Sequence, residues 1–506
     1  MRAAISNEKK RVMLEENIAT LIPKMAVPTI VAQLITTVYN LVDTYFVSTL
    51  GTNATAAVGV NSSLERTITI IGSLIGAGAC SYISRLLGAE KKEDANRVLS
   101  TSILTGLGMG VIFMVVCRFF MEGLVYALGA TDDCAAYSMQ YATYVLYAAP
   151  FMIGSFILNM CLRSEGSAMF AMIGIGFGGV LNCFLDPLFI YTFDLGVAGA
   201  SMATAISKFV SFCILLWPYF RKTTSVEIAL RHFRYVWEDV KEVLAIGSSS
   251  FFRSALAVVA AVSINRVAGS FSTSALAALS VANRVMEFPF AIILGFGQGY
   301  QPVVGFNWGA KAWKRVKESY TFSCTLSLIG AVVIGGLIAI FAGPIVHAFN
   351  READAEVLRL GLLCIRLQCL ALPIHALSSI INMFYAGIGM ALKAMVINLA
   401  RQGYCFFPAL WVAPALFGIN GVAATQAAAD ILSIVVVLPL GLGAMRMINS
   451  KFEEPSASAV PAEAASQVGE IPETSADSET KELSEPTAVS QTGDGILAVD
   501  DEKKEV

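Results

Sequence analysis

The chain has 506 residues, of which 56% are hydrophobic and only 14% are charged. Soluble proteins carry about 25% charged residues, so the composition excludes an ordinary soluble protein and favours one that lies largely in a bilayer. The formal net charge of −3 combines a basic body with an acidic C-terminal end.

Apolar stretches of about 20 residues, the length that crosses the hydrocarbon core, predict an all-α membrane protein with twelve transmembrane helices. A charged N-terminal segment, 1–24, comes first, and its charges exclude a cleaved signal peptide. Six helices then form an N-lobe over 25–218, a cytoplasmic linker follows at 219–243, and six more form a C-lobe over 244–445. The predicted spans are 25–48, 56–84, 98–118, 137–161, 168–191, 199–218, 244–267, 275–301, 319–342, 357–384, 391–414 and 421–443. Residues 446–506 are rich in Ala, Ser, Glu and Pro, which predicts a disordered acidic cytoplasmic tail.

Lys and Arg concentrate in the N-terminal segment and in every second loop, for example at 85–92, 221–241 and 311–317. Positively charged loops stay in the cytoplasm. We therefore predict that both termini are cytoplasmic and that the protein crosses the plasma membrane many times. We expect a monomer with no nucleic-acid partner.

The second half of the sequence repeats the first at a nearly constant spacing. TNATAAVGV at 52–60 aligns with TSALAALSV at 273–281, and the match continues through glycines and one asparagine. The aligned pairs include Gly76/Gly297, Gly78/Gly299, Gly88/Gly309, Gly199/Gly421 and Asn159/Asn382. A duplicated hydrophobic half is typical of secondary transporters, which bind substrate between the two repeats near the bilayer midplane. We predict two repeated six-helix lobes and alternating access by rocking of one lobe against the other.

Ionisable and polar residues inside apolar spans are costly and are candidates for function. Asp43 lies in the first predicted helix, and Asn182 and Asp186 lie four residues apart on one face of the fifth. Thr204 lies in the sixth helix, and a short loop joins the fifth to the sixth. All four groups can therefore meet in the outer half of the N-lobe.

Two carboxylates in a poorly hydrated pocket favour a bound cation, because desolvation and mutual repulsion disfavour their charged forms. The site would bind a proton, or it would bind Na⁺ through the hard oxygen atoms of Asp43, Asn182, Asp186 and Thr204. The alternative is structural: Asp186 would cap a helix break before Pro187, and Asp43 would hydrogen-bond to backbone. We expect no cofactor, only transported H⁺ or Na⁺.

Four segments make the chain resemble bacterial members of the multidrug and toxic compound extrusion (MATE) family. They are PTIVAQLITTVYNLVDTYFVSTLGTNATAAVGV at 28–60, RSEGSAMFAMIGIGFGGVLNCFLDPLFI at 163–190, LGVAGASMATAIS at 195–207 and GFGQGYQPVVGFNWGAKAWKRVKE at 295–318. The resemblance implies efflux of organic, often cationic, compounds driven by inward H⁺ or Na⁺. It also implies that Asp43, Asn182, Asp186 and Thr204 form the cation site. Acids that another branch keeps in its seventh and tenth helices are missing here.

Substrate contacts are expected from polar groups on helices that face the other lobe. Our choices are Asn40, Asn159, Glu287 and Asn382. Glu65 and Arg66, together with Arg284 and Glu287, form either a charge network between the lobes or cavity charges that select substrates. Lys208, one turn after Thr204, is expected to extend toward the inner surface, but it would partly neutralise Asp186 if it faced the acids.

A flippase for a lipid-linked saccharide or phospholipid precursor is the alternative function. It requires a strongly basic central cavity, for which the sequence offers Arg66, Arg253, Arg284, Arg366 and Arg401. An enzyme is not expected, because the sequence has no nucleotide-binding loop, metal motif or activated nucleophile. The ten cysteines are scattered without a C-x-x-C pair, which indicates packing residues.

Overall fold

A computed structural model of the chain describes residues 2–349 and 354–453. The described chain is helical and contains no β-strand. The helices are α1 Arg2–Glu15, α2 Ile18–Ser48, α3 Thr52–Gly88, α4 Lys92–Phe119, α5 Met121–Ala127, α6 Asp132–Ser164, α7 Ala168–Pro187, α8 Gly196–Phe220, α9 Trp237–Phe271, α10 Thr273–Gly309, α11 Trp313–Phe349, α12 Ala355–Gly387, α13 Ala391–Leu399, α14 Phe406–Phe417 and α15 Ile419–Glu453. Two π-helical turns, Leu188–Thr192 and Ala400–Tyr404, follow α7 and α13.

Eleven helices of the described chain are long and apolar enough to cross a membrane. The remaining predicted span, 391–414, the eleventh in chain order, is interrupted, because the π turn divides it into α13 and α14. The prediction of an all-α membrane protein with twelve spans in two repeated lobes is confirmed. The N-lobe contains α2–α8, and the C-lobe contains α9–α15.

The ends of several predicted segments were wrong. The first span begins at Ile18 and not at 25, because Asn17 caps the helix by accepting a hydrogen bond from the Ala19 N–H at 2.9 Å. The last helix continues beyond 445 to Glu453, so the predicted tail begins later. The remainder of that tail, 454–506, lies outside the described residues.

The segment between the lobes is shorter than predicted and is packed against α4. Only 221–236 separates α8 from α9. The Glu227 N–H donates to Asn96 Oδ1 at 2.8 Å, and the Ala229 N–H donates to Ser100 Oγ at 3.2 Å. Val226 is fully buried. These contacts fix the middle of the linker to the N-lobe.

Glycines bring the two lobes into backbone contact along α3–α9, α2–α10 and α3–α10. A Cβ on Gly88 would lie 2.0 Å from the Phe306 carbonyl oxygen, and a Cβ on Gly309 would lie 2.1 Å from that of Arg85. Gly88 and Gly309 are repeat partners, and so are Arg85 and Phe306, so the seam has the pseudo-twofold symmetry of the repeat. A Cβ on Gly247 would lie only 1.6 Å from the Leu74 carbonyl oxygen. Small residues allow this close approach of helices.

Polar contacts reinforce the same end of the seam, where α3 meets the basic loop after Gly88. Arg85 Nη2 lies 2.6 Å from Glu242 Oε1, and Arg97 Nε lies 2.7 Å from Asp239 Oδ2. Ser81 Oγ donates to the Ala386 carbonyl oxygen at 2.5 Å. The halves of α2 and α10 toward the opposite end carry exposed side chains such as Tyr45 and Arg284. The interlobe contacts described here therefore lie at the end of the basic loops, which we call the closed end. We call the opposite end, where these side chains of α2 and α10 are exposed, the open end.

Helix α1 crosses the closed end and contacts both lobes. Lys9 Nζ lies 3.3 Å from the buried carboxylate of Glu165 in the N-lobe. Arg315 of the C-lobe donates to the carbonyl oxygens of Met13 and Glu16, at 3.2 and 2.8 Å. Met13 itself is buried. The predicted N-terminal segment thus contains a helix that links the two lobes.

Candidate functional site

Three of the four predicted cation-site residues are joined by hydrogen bonds. Asn182 Nδ2 donates to Asp186 Oδ1 at 3.1 Å and lies 3.4 Å from Thr204 Oγ1. Asn182 and Asp186 share one face of α7, and Thr204 lies on α8. All three side chains are buried, and Asp186 has no exposed surface. The i, i+4 spacing in α7 and the short connection to α8 produce this arrangement.

Asp43 of α2 is also buried, and α2 packs against α7, the helix that carries Asn182 and Asp186. Three oxygen atoms in the group are buried without a hydrogen-bond partner within the described chain: Asp43 Oδ1, Asn182 Oδ1 and Asp186 Oδ2. The alternative interpretation required Asp43 and Asp186 to accept hydrogen bonds from backbone N–H groups. Among the described residues, neither carboxylate does so. We call Asp43, Asn182, Asp186 and Thr204 the N-lobe site.

Two charged side chains next to the N-lobe site were not placed there by the sequence. Glu65 of α3 accepts a hydrogen bond from the Tyr141 hydroxyl at 3.2 Å. Lys208 Nζ lies 2.7 Å from the Tyr39 hydroxyl and 4.6 Å from the centre of that ring. The expectation that Lys208 extends toward the inner surface was wrong, because Tyr39 holds the ammonium group on the α2 side.

The donor set of the N-lobe site suits a small hard cation or a proton. Carboxylate, amide and hydroxyl oxygens are ligands for such cations, and three of them have no other partner within the described chain. No group of three His, Cys, Asp or Glu side chains in the described residues could hold a metal ion. A sodium ion at this site would therefore need the oxygens of Asn182 and Thr204 in addition to the two acids.

Asn159 and Asn382, two of the predicted substrate contacts, make matching structural hydrogen bonds. Asn159 Nδ2 donates to the Ala171 carbonyl oxygen at 2.9 Å, and Asn382 Nδ2 donates to that of Ala394 at 2.7 Å. Each bond therefore joins the helix that carries the asparagine to the next helix of the same lobe. Asn159 also borders a cavity of about 40 Å³ between the lobes. Since both amide nitrogens already have backbone acceptors, these bonds explain the repeated asparagine without a substrate.

The other two predicted substrate contacts lie on exposed surface of the open end. Asn40 of α2 and Glu287 of α10 are both exposed, as are Arg66 and Arg284. No ion pair of the described residues includes Arg66, Arg284 or Glu287. The predicted charge network between the lobes is therefore not present in this state. Contact of Asn40 and Glu287 with substrate stays a prediction.

The sequence reasoning missed a buried acid in the C-lobe. Asp430 of α15 is buried, and its Oδ1 lies 2.5 Å from Arg401 Nε in the π turn after α13. A signal was available, because Asp430 is the single acid of the predicted span 421–443.

Comparison with known proteins gives concordant matches. The sequence profile of the MatE family matches residues 28–188 and 250–411. The multidrug export protein MepA of Staphylococcus saprophyticus is 28% identical over 406 residues, which is 78% of this chain and 87% of that protein. MepA of Staphylococcus aureus is 27% identical over 400 residues, with the same coverage.

Solved structures share the fold. An outward-facing multidrug resistance MATE family transporter of the MOP superfamily superposes with a TM-score of 0.82 at 24% identity, covering 87% of this chain and 98% of that one. A MATE in complex with MaL6 gives a TM-score of 0.83 at 24% identity, covering 87% and 99%.

Proposed function

This chain belongs to the MatE family of multidrug efflux transporters, and from that premise we propose that it exports organic cations in exchange for H⁺ or Na⁺. The N-lobe site is the coupling site, with Asp43 and Asp186 as its charged ligands. Members of the family are transporters, and no enzymatic activity is proposed. The relatives it matches are multidrug export proteins, so the flippase alternative is not favoured.

The observation that carries the proposal is the set of buried oxygens without partners in the N-lobe site. Asp43 Oδ1, Asn182 Oδ1 and Asp186 Oδ2 lack hydrogen bonds within the described chain. A buried polar atom without a partner is costly, and a carboxylate more so. A bound cation or proton relieves that cost, which supports a site that loads and unloads during the transport cycle.

Alternating access is the proposed means of transport. Each lobe would move as a unit, and the substrate would bind between the lobes near the bilayer midplane. The closed seam of glycines at one end and the exposed side chains at the other support this proposal. The membrane potential contributes about 2.3 kcal/mol per charge per 100 mV to an ion-driven cycle.

The proposed setting is a bacterial plasma membrane, with both termini in the cytoplasm. The basic loops then lie inside, and the open end faces outward. The protein would act as a monomer, its partners being small organic compounds and the lipid bilayer, with no nucleic acid.

Everted membrane vesicles that contain the protein test the proposal. Rhodamine 123, an organic cation, is added outside, and either an acid lumen or a Na⁺-loaded lumen is imposed separately. We expect dye accumulation in the lumen under at least one gradient and none without a gradient. Vesicles with inserted protein but no gradient-driven accumulation under either condition would contradict the proposal.

A further inference from the structure

The small cavity between the lobes lies beside a buried arginine that no acid neutralises. Arg163, in the last turn of α6, is buried, with 6% of its surface exposed. No ion pair of the described residues includes it, and Glu165, two residues along the chain, pairs with Lys9 at 3.3 Å. A guanidinium keeps its charge at any ordinary pH, and a buried charge without a counter-charge is costly. Arg163 therefore favours a negative group beside it.

The hydrogen bonds of Arg163 all go to neutral oxygens. Its Nη1 donates to Gln298 Oε1 at 2.7 Å, its Nη2 donates to Asn159 Oδ1, and its Nε donates to the Asn159 carbonyl oxygen at 3.4 Å. A guanidinium has five N–H donors, two on each terminal nitrogen and one on Nε. One N–H of each terminal nitrogen is therefore left without an acceptor among the described residues.

Gln298 of α10 adds a donor from the C-lobe. Its Oε1 accepts from Arg163 and, at 3.5 Å, from Gln33 Nε2, which fixes the orientation of the amide. The Nε2 of Gln298 has no acceptor among the described residues. Gln298 belongs to the glycine seam, because a Cβ on the adjacent Gly299 would lie 2.5 Å from the Ala26 Cα. Free donors from both lobes thus meet at the closed end.

The cavity beside these donors suits a small anion in charge and in size. Gln33, Asn159, Arg163, Ala168 and Gln298 border it, no acid lines it, and we call it the Arg163 cavity. Ala168 is the first residue of α7, and the N-terminus of a helix carries a partial positive charge. The volume is about 40 Å³. One water needs roughly 10–15 Å³, whereas a pocket for an organic compound has roughly 300–1,000 Å³.

The donor pair exists on one side of the repeat only. Arg163 aligns with Ala386 at the spacing of the repeated asparagine. Gln298 aligns with Ala77 at the spacing of the glycines on either side of it. An alanine side chain has no donor, so the second side of the repeat packs without such a pair. The asparagine bonds, in contrast, occur in both lobes and serve packing.

We propose that the Arg163 cavity is a binding site for one monovalent inorganic anion of the size of chloride. The anion accepts hydrogen bonds from Arg163 of the N-lobe and from Gln298 of the C-lobe, and it neutralises the guanidinium. Because it joins both lobes at the closed end, it stabilises the state described here. In the proposed rocking cycle it leaves when that end opens, since Arg163 and Gln298 then separate.

Replacement of chloride by gluconate tests the site in the purified full-length protein. Gluconate is also monovalent but is too large for the cavity, and the two sodium salts keep the Na⁺ concentration equal. A ligand that binds only the folded state raises the melting temperature. We expect the wild-type protein to melt about 3 °C higher in about 0.15 M chloride than in gluconate. Crystals grown in sodium bromide should show an anomalous scattering peak beside Arg163.

Two variants of the site should remove the chloride effect in different ways. Arg163→Gln deletes the charge. Gln298→Glu places a carboxylate oxygen where Gln298 Oε1 lies 2.7 Å from Arg163 Nη1, so the protein supplies its own anion. Q298E should melt higher than the wild type in gluconate and at the same temperature in both salts. Arg446→Gln, at an exposed position of α15, is the matched control and should keep the chloride effect.

Two results would overturn the inference. Equal melting of the wild-type protein in both salts, with no bromide peak beside Arg163, would show that the cavity holds only water. A chloride effect that persists in Q298E would show that chloride acts elsewhere on the molecule, and this variant decides the matter even if R163Q does not fold. None of these measurements requires transport, so a failure of rhodamine 123 export would contradict the proposed function and not this site.

Discussion

At the residue scale, the N-lobe site combines two buried acids with an amide that is already oriented. The Asn182 amide nitrogen donates hydrogen bonds to Asp186 and Thr204, and its carbonyl oxygen is therefore directed away from them. An ion that enters the group would meet three buried oxygens that lack hydrogen-bond partners within the described chain, those of Asp43, Asn182 and Asp186. In the proposed transport cycle, the two carboxylates are the groups whose charge changes.

Replacing either acid by its amide should abolish coupled export. We expect Asp43→Asn and Asp186→Asn each to lower gradient-driven rhodamine 123 accumulation by about tenfold or more, because the amide can neither take up a proton nor neutralise a cation. Asp194→Asn, at an exposed loop position, is the control. Normal accumulation in both site variants at equal protein levels would remove these residues from the coupling site.

The repeated asparagines lead to a prediction about stability. Asn382→Ala removes the bond to the Ala394 carbonyl oxygen and should cost about 1 kcal/mol, seen as a lower melting temperature in detergent. Dye export per folded molecule should stay near the wild-type value. Asn53→Ala, at an exposed position of α3, serves as the comparison. Unchanged melting with loss of dye binding would instead support Asn382 as a substrate contact.

The sequence was sufficient to predict which residues of the N-lobe site lie together. It was not sufficient to predict which side chains surround that site. Residues four apart on one helix share a face, and a short loop limits the depth of the next helix, so Asn182, Asp186 and Thr204 could be placed together. The direction of a long side chain does not follow from spacing. Lys208 therefore turned toward Tyr39 against expectation, and the contact of Glu65 with Tyr141 depends on packing that spacing does not describe.

At the scale of elements, α1 connects the lobes on the end that is closed. Its Lys9 neutralises Glu165, which lies in the α6–α7 loop with almost no exposed surface. Burial raises the pKa of Glu165, and Lys9 opposes that effect. The carbonyl groups at the C-terminal end of α1 accept hydrogen bonds from Arg315 of the C-lobe.

Lys9→Met should destabilise the protein in a pH-dependent way. Above the raised pKa of Glu165 the buried carboxylate is charged and has lost its counter-ion, whereas below that pKa it is protonated and needs none. The melting temperature should therefore fall further below that of the wild type at about pH 8 than at about pH 5. Arg11→Met, which removes a largely exposed charge of the same helix, should show little difference at either pH. If the melting temperature of the Lys9→Met variant were lowered by the same amount at both pH values, the charge of Glu165 would not be the cause.

The glycine seam predicts that a single methyl group opens the closed end. In Gly247→Ala the new Cβ would lie 1.6 Å from the Leu74 carbonyl oxygen, so α9 and α3 cannot keep their contact. Gly269→Ala, on the same helix with open space around it, is the matched control. We expect G247A alone to increase the reaction of a cysteine at position 81 with a maleimide added from the cytoplasmic side. Equal labelling of the Gly247→Ala and Gly269→Ala variants would contradict the conclusion that the glycine contacts keep this end closed.

Hydropathy predicted where helices cross the membrane but not where they end or break. Arg401, Gln402 and Gly403 lie at the break between α13 and α14. The run 391–414 nevertheless looks like a single span, because a π turn retains helical side-chain spacing on both sides. The start of α2 at Ile18 depends on the Asn17 cap. Helix α15 continues to Glu453 through polar residues. A prediction based on the apolar length that crosses the bilayer does not count these residues.

At the scale of the whole molecule, the lobes contact each other at the closed end, whereas α2 and α10 carry exposed side chains toward the open end. The repeat predicted two similar lobes, since each half has the same succession of spans and glycines. The sequence could not predict which end of the molecule is closed. In the proposed rocking cycle the same sequence adopts both states, one closed at each end. The Gly88–Phe306 and Gly309–Arg85 contacts identify the closed end in this state.

A crosslink across the closed end should stop transport if the lobes rock. In a background without the ten native cysteines, Ser81→Cys with Ala386→Cys joins the lobes where Ser81 Oγ and the Ala386 carbonyl oxygen lie 2.5 Å apart. Asn61→Cys with Ser138→Cys joins α3 to α6 within one lobe and is the control. We expect oxidation to abolish dye export only in the first pair, with reductant restoring it. Full turnover with the interlobe crosslink formed would contradict rocking.

The two π turns allow a kind of motion that differs from the proposed rocking of the lobes. One follows directly on Asp186 and Pro187, and the other contains Arg401. A π turn holds one residue more than an α turn, and each residue of an α-helix advances the chain by about 100° around the axis. Passing the extra residue along a helix rotates the stretch between its old and new positions while the hydrogen-bonded ends stay in place. Each lobe can therefore turn a charged side chain from one set of neighbours to another by rotation about a helix axis, without tilting against the other lobe.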